Sequence, residues 1–431
     1  MLDIQFIRDN PELVVEKSKQ KGYKVDVEQL LKVDEERRNV LAELESVRAE
    51  RNEHSASLSA GKPTDVQIEK GKDLKDKVAG LEQILAPLEQ DVSQLIKAIP
   101  NMPQEDVPVG ASEDENVVTK TIGEPTKFDF DPKNHAQIAE AKGWLDKERA
   151  AKVAGSRFAY IEGDLVRLQF AIIQFVMDKL SDQSFIDEII QENNLKVSNK
   201  PFKPILPPFM IRTELYDAMD RLQPSDDRYK IEGEELWLQG SAEHVLGSMY
   251  ADEIIPESEL PIRLLGYATS FRKEAGTYGK DMEGIFRMHQ FDKLEMEVIS
   301  TSDTGLQEHL LMIAIQEKLM SLLGIPYEVM NKCTADIGKP NAHGVDINAW
   351  MPGQGKYRET HTADYMTDYQ ARRLKTRVRR GNGVELIHTN DATALPLSRG
   401  PVAIIENYQT ADGDVIVPEV LRAYMGGKEK I

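Results

Sequence analysis

A short segment in the middle of the chain, FRKEAG at 271–276, carries side chains suited to binding a molecule that has both an anionic group and an amine. Arg272 and Glu274 are two residues apart, so on a strand both point to one face. The arginine can hold a carboxylate or a phosphate through two parallel hydrogen bonds, and the glutamate can accept hydrogen bonds from an amine. An exposed, ion-paired strand would have the same pattern, so the segment alone leaves both interpretations open.

Two further segments extend this chemistry to phosphate and magnesium. In YRETHT at 357–362, Glu359 is followed three residues later by Thr362, and a carboxylate with a hydroxyl can bind Mg²⁺ beside phosphates. A polar strand end is the simpler interpretation of that pattern. Farther on, Arg399 precedes a helix predicted over 402–408, where it would add to the affinity of the helix start for an anion.

The composition excludes several other kinds of protein. The chain has 431 residues, enough for two to three domains of about 150 residues each. It contains no GxxxxGK[ST] loop, no strand–GxGxxG–helix unit, no HExxH and no GxSxG. Cys333 is its single cysteine, which excludes an internal disulfide framework and a cysteine-based zinc cluster. Because it has no apolar stretch of about 20 residues and no visible secretory signal, we expect a cytoplasmic protein that does not enter a membrane.

The charge balance restricts any binding of nucleic acid to local surfaces. With 54 basic and 73 acidic residues the net charge is −19, which opposes non-specific binding to a polyanion. The segment 372–380 predicts one local patch, a strand with a basic face, although an ion-paired face is the simpler interpretation. The basic residues are Arg372, Arg373, Lys375, Arg377, Arg379 and Arg380 there, and Arg37, Arg38, Arg48, Arg51, Lys70, Lys72, Lys75 and Lys77 nearer the N-terminus.

The basic residues nearer the N-terminus lie on two predicted helices. Apolar residues three and four apart run from Leu30 to Val47 and again from Val78 to Ile99. This spacing indicates an antiparallel coiled-coil hairpin over about 27–99, with a turn within 55–65. About 30 residues per helix give an arm of roughly 45 Å. A helical bundle packed on the rest of the chain is the alternative.

A proline-rich, acidic stretch then marks a boundary. We predict a linker at 101–125, between an N-terminal domain at 1–100 and a second domain at 126–431. The second domain mixes strands and helices without regular βαβ alternation, which predicts an α+β fold on a mixed or antiparallel sheet. The predicted strands are 235–238, 262–266, 291–299, 346–351 and 384–388, and the predicted helices are 163–182 and 305–323.

Five strings, in this order along the chain, resemble bacterial-type seryl-tRNA synthetases, a family of class II aminoacyl-tRNA synthetases. They are VDEERRNVLAELESVRAERN, IPNMPQEDVPVG, FRKEAGTYGKDMEGIFRMHQFDKLEM, DYQARRLKTRVRR and ENYQTADGDVIVPEVLRAYMGG. The third resembles motif 2 of class II, and LSRGPVAIIENYQ resembles motif 3. GDLVRLQFAIIQFVMDKL, with Pro207 and Pro208 beyond it, is similar to motif 1.

The resemblance implies an antiparallel class II sheet flanked by helices, and an N-terminal coiled-coil arm that binds tRNA(Ser). It also implies a homodimer formed through motif 1. The implied activity is that of a serine–tRNA ligase, which activates L-serine with ATP and transfers the seryl group to the 3′ end of tRNA(Ser). ATP is then a substrate and Mg²⁺ a cofactor. The alternatives are a synthetase-like ligase with another acceptor, and an RNA-binding protein with a decayed synthetase domain.

The resemblance also assigns roles to single residues. Arg272 would bridge the serine carboxylate and the α-phosphate, Glu274 would contact the adenine edge, and Phe291 would stack on the adenine. Glu359 and Arg399 would be catalytic together with Arg272. Glu359 and Thr362 would hold Mg²⁺, and Arg399 would reach the γ-phosphate. The ATP site would comprise Arg272, Lys273, Glu274, Met288, Phe291, Glu359, Thr360, His361, Thr362 and Arg399, and the serine pocket Ser241, Ala242, Glu243, Arg272, Glu295 and Thr393.

Several positions depart from the pattern of the family. Ser241 stands for the threonine of its TAE triplet, Asp391 for an asparagine, and HTADY at 361–365 for SSCSN. Residues 183–204 resemble an insertion after the motif 1 helix. Because most of these changes surround the serine pocket and the metal site, the resemblance supports the fold more strongly than it supports serine as the substrate.

Overall fold

The computed structural model describes residues 1–58, 63–274 and 283–431, which fall into two compact units, Met1–Met102 and Pro103–Ile431. The boundary between the units lies two residues beyond the predicted domain 1–100. Among the described residues, no helix has both the length and the apolar character that crossing a membrane requires.

The first unit is helical. Its helices are α1 (Ile4–Asp9), α2 (Pro11–Gln20), α3 (Val27–Ser57) and α4 (Asp65–Ala98). The two long helices begin at polar caps: Asp26 accepts a hydrogen bond from the backbone of Gln29, and Thr64 forms a reciprocal capping box with Gln67. Gly61 and its neighbours in the predicted turn lie outside the described residues.

Helices α3 and α4 pack along the predicted seam. Leu44, Val78 and Leu85 are buried together, and further apolar side chains of the seam pack beside them. Arg48 pairs with Glu82 across the two helices, with 2.7 Å between Nη2 and Oε1. The predicted hairpin is therefore confirmed. We call α3 and α4 together the helical hairpin.

The short helix α1 is joined to the base of the hairpin by a buried carboxylate. The side chain of Asp34 on α3 is 1% exposed, and it pairs with Arg8 at 2.6 Å and with Arg37 at 2.8 Å. Burial alone would raise the pKa of Asp34, but the hydrogen bonds from Arg37 and Arg8 outweigh it and hold the pKa below its usual value.

Replacing Asp34 with asparagine is expected to loosen the first unit by about 1–3 kcal/mol, because charge-assisted hydrogen bonds are lost. Hydrogen exchange of the full chain should show faster exchange in α1 and in the first turns of α3. Since the folded pKa is lowered, the stabilisation is present above the usual pKa of aspartate and is lost as the pH falls through the folded pKa. In acid, the free energies of unfolding of the wild type and of Asp34→Asn should therefore become equal. Asp91→Asn, at an exposed position of α4, is the control and should exchange like the wild type.

The second unit is built on an eight-stranded sheet with the order β1-β10-β11-β12-β15-β9-β8-β4. Neighbouring strands are antiparallel except β4 and β8, which are parallel. The strands of this unit are β1 (Val117–Ile122), β2 (Leu145–Asp146), β3 (Tyr160–Ile161), β4 (Lys203–Ile205), β5 (Met210–Arg212), β6 (Leu236–Leu238), β7 (Ile254–Pro256), β8 (Ile262–Phe271), β9 (Gln290–Ser300), β10 (Tyr327–Asn331), β11 (His343–Met351), β12 (Lys356–Thr367), β13 (Arg377–Arg380), β14 (Gly383–Leu386) and β15 (His388–Pro396).

The longest helices of the second unit cover one face of this sheet. The helices of the second unit are α5 (His135–Ala141), α6 (Lys147–Ala154), α7 (Gly163–Ser181), α8 (Gln183–Glu192), α9 (Thr213–Ala218), α10 (Glu243–Leu246), α11 (Gly305–Leu322), α12 (Tyr369–Leu374), α13 (Arg399–Asn407) and α14 (Glu419–Arg422). Apolar residues of α7, α11 and α13 form one buried cluster with the inward side chains of the central strands, such as Leu294, Met296 and Ile347. Because side chains alternate along a strand, the other face of the same strands is free to carry polar groups.

One prediction about the borders of this unit needs correction. The predicted linker 101–125 contains strand β1, whose β-branched residues pair with β10 at the end of the sheet. Residues 183–204, interpreted as an insertion, form α8 and the start of β4. Phe185 and Ile186 of α8 are buried in the main core, so the segment is part of the core.

The predicted basic strand at 372–380 is also wrong in its first half. Arg372 and Arg373 lie on helix α12, which ends where Lys375 adopts a left-handed conformation with φ of 57°. Arg373 is 3% exposed and pairs with Asp220 at 2.8 Å, and Arg380 on β13 pairs with acidic neighbours. The simpler interpretation, an ion-paired surface, fits these residues.

Candidate active site

The polar face of the sheet carries a cavity of about 320 Å³. It is bordered by β9, β12 and β15, by α10, and by the start of α13. Most of the predicted site residues meet in its wall. They are Ser241, Glu243, Arg272, Glu274, Met288, Phe291, Glu295, Glu359, Thr360, Thr362, Thr393 and Arg399.

Strand register brings these side chains together. On β9 the residues Phe291, Lys293 and Glu295 alternate onto the cavity face, and Glu295 pairs with Thr393 of β15. Beyond that pair β15 carries one extra residue, Ala394, since Leu395 pairs with Leu294. This β-bulge shifts the alternation of β15 by one residue, so that a cavity side chain recurs at Pro396.

A second bulge lies in β12. Ile347 of β11 pairs with His361, but the next residue, Asn348, pairs with Glu359, so Thr360 is the extra residue. In a regular strand, residues three apart point to opposite faces. The bulge places Glu359 and Thr362 on the same face, where both line the cavity.

Helix α10 reaches the cavity because β8 has a glycine beneath it. A Cβ atom at Gly266 would lie 2.7 Å from the end of the Leu246 side chain and 3.5 Å from Ala242, so any side chain there would force Leu246 to move. The helix carries Glu243 into the wall beside Ser241. The Ser241 hydroxyl donates to Glu295 Oε2 at 3.3 Å, which links the helix to β9.

Arg272 is held at the end of β8 by the backbone. Its Nε donates to the carbonyl of Gly240 at 2.8 Å, and its guanidinium carbon lies 5.3 Å from the centre of the Phe291 ring. Burial, with Arg228 nearby, lowers the pKa of Arg272 from its high usual value. Glu274 pairs with Arg287. The remainder of the FRKEAG segment, from Ala275 on, lies outside the described residues.

An arginine–carboxylate pair lies at the start of α13. Arg399 Nη1 donates to Glu359 Oε1 at 2.7 Å, and its guanidinium carbon lies 5.0 Å from the Phe286 ring. Burial raises the pKa of Glu359, but Arg399 and Lys332 more than offset this and leave the pKa below its usual value. The Glu359 carboxylate is thus ionised and able to coordinate a cation, and its side chain is about half exposed at the cavity.

The oxygen atoms at Glu359 and Thr362 suit a magnesium ion. Thr362 donates its hydroxyl hydrogen to Asp346 Oδ1 at 2.7 Å, which leaves its lone pairs for a cation. Burial raises the pKa of Asp346 to about 7, against the opposing effect of Lys332, 3.9 Å away. A carboxylate and a hydroxyl are hard oxygen ligands of the kind that Mg²⁺ prefers next to phosphates, so these residues fit the predicted ion.

The opposite part of the wall is built to bind a small polar molecule. Lys293 pairs with Glu295 and donates to the Thr393 hydroxyl at 3.4 Å. Burial raises the pKa of Glu295, and Lys293 partly offsets that effect. The hydroxyls of Thr393 and Ser241 therefore lie within one small volume with the Glu295 carboxylate and the Lys293 ammonium group.

The side chains of three predicted residues do not line the cavity. Ala242 is fully buried beneath α10, and Lys273 lies 5.5 Å from the Tyr229 ring. His361 is fully buried; its Nδ1 lies 2.8 Å from the Thr360 hydroxyl, and burial lowers its pKa to about 3. The side chain of His361 therefore does not reach a bound nucleotide, because the bulge at Thr360 turns it toward the core.

The structure adds residues that the sequence interpretation did not assign to the site. They are Arg221, Asp227, Arg228, His244, Phe286, Arg287, Lys293, Asp364 and Asp391 among the lining residues. His244 accepts a hydrogen bond from the backbone of Gly240 at 3.2 Å, and burial keeps its pKa well below the usual value. Arg221 and Arg228 lie between α9 and β6, where no spacing pattern marks them. Lys293 and Arg287 lie inside a recognised motif and could have been found there.

The fold and the site define a class of protein. Residues 228–408 match the family model of the tRNA synthetase class II core domain (G, H, P, S and T), and residues 1–103 match the seryl-tRNA synthetase N-terminal domain. The second unit is therefore a class II aminoacyl-tRNA synthetase core.

Full-length relatives identify the family. The serine–tRNA ligase of Thermodesulfovibrio yellowstonii is 38% identical over 436 residues, covering 99% of both chains. The crystal structure of seryl-tRNA synthetase from Pyrococcus horikoshii complexed with ATP matches with a TM-score of 0.88 and 36% identity, covering 100% of this chain and 99% of that chain. The crystal structure of the cytoplasmic serine–tRNA ligase from Naegleria fowleri in complex with AMP matches with a TM-score of 0.84 and 30% identity, covering 100% of this chain and 98% of that chain. The chain belongs to the seryl-tRNA synthetase family.

Proposed function

We propose that the protein is a serine–tRNA ligase that uses ATP to attach L-serine to the 3′ end of tRNA(Ser). The observation that carries this proposal is that the polar pocket of Ser241, Glu295 and Thr393 and the wall of Glu359, Thr362 and Arg399 share one cavity with Arg272. In the first half-reaction, a carboxylate oxygen of serine attacks the α-phosphorus of ATP and pyrophosphate leaves. In the second, a ribose hydroxyl of the terminal nucleotide attacks the seryl carbonyl and AMP leaves.

The amino acid would bind between α10 and β9. Glu243 would accept hydrogen bonds from the ammonium group, and Arg272 would hold the carboxylate through its fork. Glu295 and Thr393, with Ser241 beside them, would contact the side-chain hydroxyl. A site that hydrogen-bonds a hydroxyl discriminates strongly against an amino acid that lacks one.

The nucleotide would lie across the other wall. Phe291 would stack on the adenine, with Met288 and Glu274 beside it, and Arg272 would meet the α-phosphate. Arg399 would contact the terminal phosphates. Negative charge on the phosphates is thus met by arginines already in place, so the protein contributes positioning and electrostatic stabilisation and forms no covalent bond to substrate.

Glu359 and Thr362 would hold the magnesium ion. The ion would neutralise phosphate charge as a Lewis acid when it is bound. Asp346 would keep the Thr362 hydroxyl oriented, as it does in the structure.

The helical hairpin would bind tRNA. Its exposed lysines on α4, Lys70, Lys72, Lys75 and Lys77, supply positive charge on a chain of net charge −19. We further propose that the enzyme is a cytoplasmic homodimer that forms through α7, in agreement with the resemblance of that segment to motif 1.

Amino-acid-dependent exchange of pyrophosphate into ATP tests the proposed function. We expect exchange with serine, and exchange with alanine weaker by roughly 10²-fold or more, because alanine leaves the hydroxyl contacts unmade. Threonine and glycine complete the panel. Charging of tRNA(Ser) transcripts should follow the same preference. Equal exchange with serine and alanine, or a preference for another amino acid, would contradict the proposal.

A further inference from the structure

Arg221, next to α9, contacts three carboxylates that belong to three different elements. Its Nε donates to Glu243 Oε1 at 2.7 Å, and its Nη2 lies 3.7 Å from Asp391 Oδ1 and 3.9 Å from Asp364 Oδ2. Nη2 also donates to the side-chain oxygen of Asn341 at 3.0 Å. All three carboxylates line the cavity.

Two of these carboxylates, Asp364 and Asp391, lie with Glu297 in one row across the sheet. Asp364 of β12 pairs with Asp391 of β15, and Asp391 pairs with Glu297 of β9. Side chains at paired positions lie about 5 Å apart, and like charges at such positions repel. Glu297 is fully buried, and neither of its carboxyl oxygens has a hydrogen-bond partner in the described part of the chain. Arg221 supplies positive charge at one side of this row.

The contact with Glu243 connects the row to the amino-acid pocket. The Glu243 side chain is 6% exposed, and its Oε1 accepts hydrogen bonds from Arg221 and, at 3.2 Å, from Gln370. These two donors fix the direction of the carboxylate. The proposed function requires that direction, because Glu243 would accept hydrogen bonds from the substrate ammonium.

We propose that Arg221 is a positioning residue for the amino-acid pocket, which orients Glu243 and offsets the charges of Asp391 and Asp364. This inference rests on the proposed serine–tRNA ligase activity. Arg221 need not touch serine: it acts through Glu243. Loss of its charge would make the pocket more negative and attract an ammonium, but repulsion from Asp391 and Asp364 would also turn Glu243 out of position, and we expect this displacement to dominate and to weaken serine binding.

Kinetics of serine-dependent pyrophosphate exchange separate these effects. In Arg221→Gln we expect the KM for serine to rise roughly tenfold or more, since a buried charge loses its partner, while the KM for ATP stays within about twofold. Adding Asp391→Asn to Arg221→Gln should recover most of the loss, because it removes a carboxylate that repels Glu243, and the amide introduced at position 221 can then donate to Glu243. Arg221→Lys should be intermediate, because an ammonium keeps the charge and loses the fork.

The matched control is Arg372→Gln. Arg372 also pairs with a carboxylate, Asp368, at 2.7 Å, and its side chain is 23% exposed against 16% for Arg221. It does not line the cavity. We expect the KM for serine to stay at the wild-type value in this variant.

Several outcomes would overturn the inference. An unchanged or lowered KM for serine in Arg221→Gln would do so, as would equal rises in the KM for serine and for ATP. If Arg221→Gln does not fold, the double variant decides, and failure of Asp391→Asn to restore both folding and the KM for serine contradicts the proposed charge balance. Absence of serine-dependent exchange in the wild type would instead overturn the proposed function, and the inference with it.

Discussion

Arg272→Ala is expected to abolish formation of the adenylate, and Arg272→Lys to do little better. The guanidinium is proposed to meet negative charge on both reactants, and a lysine ammonium cannot reproduce its planar fork. Loss of a preorganised charge contact of this kind typically lowers the rate by about 10²-fold or more. Pyrophosphate exchange measured at saturating serine and ATP would report the loss.

Two controls test whether the loss of activity is specific to the Arg272 side chain. Arg149→Ala, at a position on α6 that is 80% exposed, should leave exchange at the wild-type rate. Thermal unfolding of Arg272→Ala should remain near the wild type, because the main bond lost is the one to the Gly240 carbonyl. Exchange close to wild type in either Arg272 variant would remove this residue from its proposed role.

The second large effect is expected from shortening the helical hairpin. Replacing residues 48–77 with a short Gly/Ser turn removes its distal half and keeps Leu44, Val78 and Leu85, which pack together. The base, where Asp34 joins α1 to α3, also stays. If the hairpin only binds tRNA, serine-dependent exchange should stay within about twofold of wild type, while charging of tRNA(Ser) should fall by roughly 10²-fold or more.

A second variant separates the effect of the length of the helical hairpin from the effect of its positive charge. Replacing Lys70, Lys72, Lys75 and Lys77 with glutamine keeps both helices intact and removes four exposed charges. Binding of tRNA by this variant should weaken, and its dependence on salt should become shallower, because fewer counterions are released. Wild-type charging by the shortened protein would show that the hairpin serves another purpose.

The helical hairpin was predictable because its information is local and repetitive. Seam residues such as Leu44, Val78 and Leu85 recur at the spacing of a helix, and the structure buries them as expected. The basic segment at 372–380 was harder, since alternation suggested a strand while Leu374 and its neighbours pack as a short helix. Apolar contacts made by residues distant in sequence decide such a short element.

The site was predictable where motifs carry it and not elsewhere. Arg272 and Arg399 were found from ordered strings and Glu359 from its spacing to Thr362, and all three line one cavity. Arg221 follows no motif, and its importance depends on carboxylates that lie 22, 143 and 170 positions later in the chain. Only the pairing of β12 with β15 brings Asp364 and Asp391 to it.

The two bulges make the site depend on chain length as well as on residue identity. Deleting Thr360 or Ala394 would remove the extra residue and its bulge, and because the flanking residues already pair with consecutive residues of the neighbouring strand, the inside–outside phase would be kept. Inserting or deleting a residue elsewhere in these strands, with the bulges kept, would instead exchange cavity and core residues on one side of the change. Insertions and deletions in homologous chains should therefore be confined, within these two strands, to the bulge positions, and should otherwise concentrate in the loops. Substitution is then the main route by which the pocket can diversify, and Asp364 and Asp391 are positions of the wall where this chain departs from the pattern of the family.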